Sequence, residues 1–302
     1  MAVISPASIV SDMATCLRRA VSDEYAPLPD LQGLPPLAVT NEEISTARRQ
    51  AAQAHYDTYF GVRRTQDQNT FAHSTLIGFH GVLDNLRSAR SSLAPTQWQA
   101  LATGIHDTLN FMLSARGATP YPYPPPPRAH SDPDPDQRWR LGHRAFFVLT
   151  QCIIIGLRGF LDAAQRAMWP AAVTALDYGT TMLAASAACL HFTADFRAND
   201  YSRTVRPAMP AEFTGLASAD HTCLVAQLRA MGPTLQTMPS EFAQHREALR
   251  TTLRSVYLAH QGICARFDGD HNPSLRTDQH SATPATTVLS RLARSRCRLL
   301  EP

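Results

Sequence analysis

Apolar positions return at helical spacing along most of this chain. Over residues 69–90 the large apolar side chains recur every three or four positions, which is the period of an α-helix with one buried face. The same pattern predicts further helices over about residues 41–59, 95–115, 137–168, 170–195, 217–231 and 240–267, with a short arginine-rich helix near the C-terminus. We therefore predict an all-α protein, built as a single-domain helical bundle over residues 1–302.

Two segments interrupt the helical pattern. Prolines are scattered through residues 1–39, which we interpret as an N-terminal arm that is irregular after Cys16 and lies on the body of the protein. A second group of prolines excludes a helix from residues 117–136, and we predict a long surface loop there. Within that loop, Tyr121-Pro122-Tyr123 either covers a pocket or forms a polyproline motif for a partner.

The composition favours a large helical core and excludes several mechanisms. The 302 residues are 44% hydrophobic and include only 14 glycines, which suits a substantial helical interior. The chain contains no lysine. Pyridoxal phosphate chemistry, Schiff-base catalysis and a phosphate-loop lysine are therefore excluded. No Gly-x-Gly-x-x-Gly follows a strand-like run, so a dinucleotide-binding fold is unsupported.

Charge, cysteine usage and hydropathy indicate which partners and which cellular compartment to expect. The net charge of +3 comes without a basic stripe, so we expect no nucleic-acid partner. The six cysteines are scattered without a Cys-x-x-Cys pair, which fits reduced thiols in the cytoplasm. The longest apolar run, residues 145–157, is too short to span a bilayer, so we expect a buried helix and no membrane. The oligomeric state stays open, with a homo-oligomer as one outcome.

His191 is the first candidate for a cofactor ligand. Three of its neighbours at helical spacing are Ala187, Ala188 and Ala194, and such small side chains let a flat macrocycle approach the imidazole. The fourth neighbour, Asp195, could accept a hydrogen bond from the other ring nitrogen and make the ligand more basic. The competing interpretation is a core histidine near the end of a long helix.

His80 is the second candidate. Leu76, Ile77 and Leu83 surround it at helical spacing, and Gly78 and Gly81 carry a cost inside a helix, which indicates that something packs close to the backbone there. A histidine over a ligand pocket would suit this setting and could transfer protons near neutral pH. The competing interpretation is a buried, hydrogen-bonded histidine beside a tight helix crossing.

Three arginines follow His191 closely. The guanidinium groups of Arg197, Arg203 and Arg206 could pair with the propionates of a haem or with a substrate carboxylate, because the planar fork gives bidentate contacts. Alternatively, they form a solvated helix end at which positive charges meet the negative pole of the helix.

Residues 79–86 (FHGVLDNL), 191–197 (HFTADFR) and 201–207 (YSRTVRP) together resemble bacterial haem-dependent tyrosine hydroxylases. These belong to the histidine-ligated aromatic oxygenases, which include tryptophan 2,3-dioxygenase. The resemblance implies a b-type haem enclosed by the bundle, with His191 as the proximal iron ligand and His80 as the distal, catalytic histidine. With a haem in the bundle, we assign Arg197, Arg203 and Arg206 to cofactor binding.

The same resemblance implies an activity. The expected reaction is the 3-hydroxylation of L-tyrosine to L-DOPA (3,4-dihydroxyphenylalanine), with hydrogen peroxide as the oxidant, in antibiotic biosynthesis. An arginine would hold the carboxylate of the amino acid, and we assign that role to Arg116, with Arg203 as the alternative.

Two other classes of protein stay open. An all-α terpene cyclase of similar length needs acidic clusters that hold magnesium, and Asn199-Asp200-Tyr201-Ser202 resembles one only faintly. A non-catalytic helical binding protein would use the proline-rich loop as its partner motif. An intense Soret absorption would separate a haem enzyme from both.

Overall fold

The computed structural model describes residues 6–23, 26–29, 38–40, 47–113, 122–126, 128–210, 218–268 and 283–301. The longer helices are α1 (Pro6–Ser22), α2 (Ala47–Phe60), α3 (Gln68–Ser88), α4 (Pro95–Met112), α5 (Pro135–Gln165) and α6 (Trp169–Thr193). Two short helices, α7 (Ala198–Asp200) and α8 (Arg206–Ala208), flank a π-helix at Tyr201–Val205. A 3₁₀ turn at Ser240–Phe242 separates α9 (Ala219–Gln236) from α10 (Ala243–Asp268), and α11 (Ala285–Arg298) follows. The prediction of a mostly helical protein is confirmed.

Helices α5 and α6 form the centre of the bundle. They approach so closely that a Cβ built on Gly156 would lie 2.9 Å from the Cα of Gly179. The cores of both helices are buried, with Phe147, Phe160 and Phe192 among the side chains that are almost completely enclosed. Glycines at a crossing allow this approach because they place no side chain between the two backbones.

Helix α5 is long and apolar enough, by length and composition alone, to cross a membrane. In this fold 67% of the most apolar 18-residue stretch of α5 is buried, and the core helix of a soluble protein meets the same criteria. Its polar side chain Gln151 is almost fully enclosed and bonded within the bundle. The predicted buried helix is therefore present.

A small parallel ladder accompanies the helices. Strand β1 (Ala38–Thr40) pairs in parallel with β2 (Arg63–Thr65), and Val39 lies opposite Arg64. Gly61, with φ 65°, ends α2 and turns the chain into β2. Positive φ at that position suits glycine because it has no Cβ to clash with the backbone. The helical pattern did not predict these strands, since three residues are too few to display an alternation.

Both non-helical predictions need correction in detail. Residues 6–22 of the predicted arm form α1, which continues beyond Cys16 because Leu17 and Val21 bury one face of the helix against α3 and α4. The described part of the proline-rich loop is held to α4, where the Trp98 Nε1–H donates to the Pro124 carbonyl at 2.6 Å. Tyr123 in this loop is buried rather than spread over the surface. Residues 114–121 lie outside the described part of the chain.

A buried arginine joins the ends of three helices. The guanidinium of Arg138 on α5 donates to Asn85 Oδ1 at 2.8 Å, to the Arg90 carbonyl at 2.7 Å and to the Asp195 carbonyl at 2.9 Å. Its side chain is fully enclosed, which a charged group tolerates only when its donors are satisfied. Arg138 therefore fixes the beginning of α5 against the ends of α3 and α6.

Candidate functional site

A cavity of 190 Å³ lies between α5, α6, α9, α10 and α11. Most of its wall is apolar or aromatic, which is the usual lining of a cofactor or small-molecule site. Polar side chains are interspersed in this wall. Those with ionisable or hydrogen-bonding groups include Tyr56, Trp139, His143, Ser218, Asp220, His221, Tyr257, His260 and Cys264.

Helix α10 forms one long wall of this cavity. Leu253, Tyr257, His260, Cys264 and Phe267 line it, at the three- and four-residue steps of one helix face. The fourteen residue steps from Leu253 to Phe267 correspond to about 21 Å along the helix axis. The cavity is thus elongated along α10.

Two histidines of the cavity wall are held neutral. Burial lowers the pKa of His260 to about 4, and burial, aided by the nearby His260, lowers the pKa of His143 to about 4. The Nδ1–H of His143 donates to the Trp139 carbonyl at 2.8 Å, which leaves Nε2 with its lone pair. Within the described residues, His260 has no hydrogen-bond partner for its ring. A neutral imidazole is the form that coordinates a metal ion.

His221 adds a polar pair to the wall. Ser218 caps α9 by accepting a hydrogen bond from the His221 backbone N–H at 3.2 Å, which fixes the first turn of the helix. The His221 Nε2 then lies 3.3 Å from the hydroxyl of Tyr257 on α10. This contact places a group that can take up or release a proton beside His260, which is one turn further along α10.

Two buried polar atoms on the cavity wall have no partner within the described part of the chain. They are the Trp139 Nε1–H, a donor, and Asp220 Oδ2, an acceptor. Buried polar groups are almost always hydrogen-bonded in native proteins. Their orphaned state indicates that the cavity normally holds a ligand or water with polar atoms.

The donor set of this cavity fits a haem. The iron of a haem is held by its macrocycle and needs one axial protein donor within a dry apolar pocket. His260 offers a neutral imidazole on a mostly apolar and aromatic wall, and His143 and His221 offer two more imidazoles. Among the described residues, no group of three or more His, Cys, Asp or Glu side chains is arranged to hold a metal ion by itself.

The structure places the predicted ligand His191 outside this cavity. Leu190, Thr193 and Ala194 of α6 line the wall, whereas His191 lies off that face and is partly exposed. Burial lowers its pKa, and Asp195 acts in the opposite direction. Asp195 does not bond to the imidazole as expected, because its carboxylate accepts hydrogen bonds from Ser91 and Ser92. The proposed iron-ligand role of His191 stays a prediction that this geometry does not favour.

His80 also lies away from the cavity. It is half-buried on α3, where burial lowers its pKa and the backbone of Pro29 hydrogen-bonds to its ring. The glycine beside it, Gly81, packs against α5, since a Cβ there would lie 2.7 Å from Leu141 Cδ2. This setting matches a hydrogen-bonded histidine beside a tight helix crossing, and the catalytic role of His80 stays a prediction.

The arginines assigned to the cofactor do not line the cavity either. Arg197 is exposed and pairs with Asp132 at 3.4 Å, and Arg203 is also exposed. Arg206 donates to the Pro210 carbonyl at 3.3 Å. Arg116 lies outside the described residues. A solvated helix end therefore describes these three arginines better than a propionate site.

The sequence interpretation missed the residues that the fold brings together. His260 and Cys264 have the four-residue spacing of one helix face, and this was a usable signal in the predicted helix over 240–267. No such signal existed for His221 and His143, because their helices contact α10 only in the folded protein.

Comparisons with known proteins agree with this architecture. The sequence profile of a family described as SfmD 3-methyl-L-tyrosine peroxygenase matches residues 3–245. A 3-methyl-L-tyrosine peroxygenase from Streptomyces lavendulae is 25% identical over 250 residues, which cover 80% of this chain and 68% of that protein. A crystal structure of reduced SfmD, soaked with sodium hydrosulfite, superposes with a TM-score of 0.65 at 21% identity. That superposition covers 86% of this chain and 92% of the other, and at this identity it shows a shared fold.

Proposed function

Because this chain belongs to the SfmD 3-methyl-L-tyrosine peroxygenase family, we propose that it is a haem-dependent peroxygenase that hydroxylates the ring of a tyrosine-like amino acid. The overall change is that an aromatic C–H and hydrogen peroxide give a phenolic C–OH and water. The observation that carries the proposal is His260, a neutral imidazole on the wall of an elongated aromatic cavity.

His260 is the residue that we propose as the axial ligand. Burial keeps its imidazole neutral, so the nitrogen lone pair is available to iron near neutral pH. His221 and His143 are the alternative donors of the same cavity. A bound haem supplies the iron chemistry that activates peroxide, and the protein determines what reaches it.

The aromatic residues of the cavity suit a phenol ring. Trp139, Phe146, Phe147 and Phe267 line it, and such side chains bind an aromatic ligand through offset and edge contacts. They also exclude water, which protects the reaction from wasteful decomposition of peroxide. His221 and the hydroxyl of Tyr257, 3.3 Å apart, are the groups placed to transfer a proton at this wall.

The finer choice of substrate is a separate part of the proposal. L-Tyrosine, giving L-DOPA, is the substrate expected from the sequence, whereas the relative from Streptomyces lavendulae is named for its activity on 3-methyl-L-tyrosine. The two differ by one methyl group, which in an apolar pocket changes affinity by only about 1–3 kcal/mol. Terpene cyclase and scaffold functions have no support from the family.

The decisive experiment uses protein produced with added haem. Each amino acid is incubated with isotopically labelled hydrogen peroxide, and the product is analysed by mass spectrometry. We expect an intense Soret band and a product that carries one labelled oxygen atom. Label incorporated from dioxygen instead would contradict the peroxygenase reaction, and ring opening of tryptophan would move the protein toward the dioxygenases.

A further inference from the structure

Asp220 is buried in the cavity wall with one of its two oxygens unsatisfied. Its side chain is 2% exposed. Oδ1 accepts hydrogen bonds from Arg64 Nη1 at 2.7 Å and from Gln151 Nε2 at 2.5 Å. Oδ2 is buried and has no partner among the described residues. Asp220 lines the cavity, so a ligand held there can donate a hydrogen bond to Oδ2.

Among the described residues, two carboxylates, those of Asp57 and Asp220, share the guanidinium of Arg64. Arg64 donates to both oxygens of Asp57 at 2.9 Å as well as to Asp220. One guanidinium therefore serves two carboxylates in this buried cluster. Burial raises the pKa of the Asp220 carboxyl, and Arg64 acts against that shift. A cation in the cavity would complete the balance, since buried charges are stable only when paired.

The geometry fixes Asp220 firmly enough to act as a recognition group. Gln53 connects the cluster to α9, because its Nε2 donates to Asp57 at 2.6 Å and its Oε1 accepts from the Ala219 N–H at 2.7 Å. A preorganised carboxylate binds a ligand without first losing side-chain freedom. The wall beside it is aromatic, with Tyr56 lining the same cavity.

We infer that the Asp220 carboxylate, through Oδ2, binds the α-ammonium group of the amino-acid substrate. This inference rests on the proposed function and makes it specific, because it selects free α-amino acids over the corresponding deaminated acids. An ammonium supplies both the missing N–H donor and the missing positive charge. Asp220 is then the specificity-determining residue for the amino group.

The test compares the affinity of the holoenzyme for L-tyrosine with that for 3-(4-hydroxyphenyl)propanoic acid, which lacks the amino group. We expect the wild-type protein to bind the amino acid roughly 10- to 100-fold more tightly, as for a hydrogen bond between charged groups. Asp220→Asn should abolish this preference, and Asp220→Glu should retain part of it. Dissociation constants from calorimetry provide the readout, so turnover is not required.

Asp57→Asn is the matched control, because it removes a carboxylate from the same cluster but Asp57 does not line the cavity. Its preference for the amino acid should persist. Equal wild-type affinity for the two ligands overturns the inference even if the Asp220 variants fail to fold. If Asp220→Asn changes the preference for L-tyrosine over its methyl ester instead, Asp220 faces the carboxylate end and the inference is wrong.

The proposed function fails in a distinguishable way. Suppose that the protein prefers the amino acid through Asp220 but forms no hydroxylated product with peroxide. The ammonium site is then supported and the peroxygenase function is wrong. Suppose instead that the protein hydroxylates L-tyrosine and that Asp220→Asn keeps the full preference for the amino acid over the deaminated acid. The peroxygenase function is then supported and the ammonium site is wrong.

Discussion

His260 and Cys264 lie one turn apart on α10, and both line the same cavity. The pair places an imidazole and a thiol on one helix face, where both can reach a single large ligand. The proposed cofactor ligand therefore lies on α10 and its alternative His221 lies on α9, whereas His191 near the end of α6 lies off the cavity wall.

We predict that His260→Ala loses most of its bound haem, because the substitution removes the proposed axial donor from the cavity wall. His191→Ala should keep a normal haem content, since His191 lies off the cavity wall. The measurement is the ratio of haem to protein, together with the Soret spectrum. Loss of haem in His191→Ala with retention in His260→Ala would restore the original assignment of the ligand.

Cys264 leads to a prediction about covalent attachment. If a haem occupies the cavity, the Cys264 thiol would be the group to add across one of its vinyl groups, so that a C–S bond forms and the thiol hydrogen passes to the other vinyl carbon. The haem should then remain with the chain after denaturation and extraction with acidified organic solvent. Cys264→Ser should release it, whereas Cys223→Ser should not, because Cys223 does not line the cavity. Complete extraction of haem from the wild-type protein would refute the attachment.

The lowered pKa of His80 predicts that the stability of the protein depends on pH. Burial lowers its folded-state pKa below the usual 6.5, so the unfolded chain binds more protons as the solution is acidified. The stability is therefore fully present above pH 6.5 and is lost as the pH falls through the lower, folded pKa. We expect the melting temperature of His80→Gln to fall less steeply on acidification than that of the wild type.

Measuring turnover of the same variant tests the catalytic role that the sequence suggested for His80. Because His80 lies away from the cavity, we expect the rate per bound haem to stay close to the wild-type value. A loss of about 100-fold or more, with normal haem content, would instead indicate a proton-transfer role.

Two glycines in helices give opposite predictions for substitution by alanine. A Cβ on Gly142 would lie 2.7 Å from Thr193 Cβ, so Gly142→Ala overpacks the α5–α6 contact beside the cavity. We expect a loss of about 1–3 kcal/mol in the free energy of unfolding. Gly262 on α10 has nothing within 4 Å of such a Cβ, and Gly262→Ala should stabilise the protein by about 0.5–1 kcal/mol. Chemical denaturation of both variants checks the pair, and equal effects would contradict the packing argument.

Helix periodicity predicted most of the fold. The predicted helix over residues 69–90 appears as Gln68–Ser88, and the predicted helix over 137–168 appears as Pro135–Gln165. These elements are encoded locally, because the three- to four-residue repeat of apolar side chains describes one helix and its buried face. Helix α1 was missed after Cys16, since prolines downstream of Ser22 obscured the amphipathic pattern before them.

The candidate site could not be predicted from local sequence patterns, because it is formed by contacts between separate helices. By itself, the sequence determined the helical class, the absence of lysine chemistry and the resemblance to haem enzymes acting on tyrosine. Only the tertiary structure decided which histidines face one cavity, because His143, His221 and His260 come from three different helices, α5, α9 and α10. It also showed that Asp195 is engaged by Ser91 and Ser92, a contact across 103 residues or more. Side-chain direction on a helix follows from its period, but the cavity that it faces is set by how the helices pack.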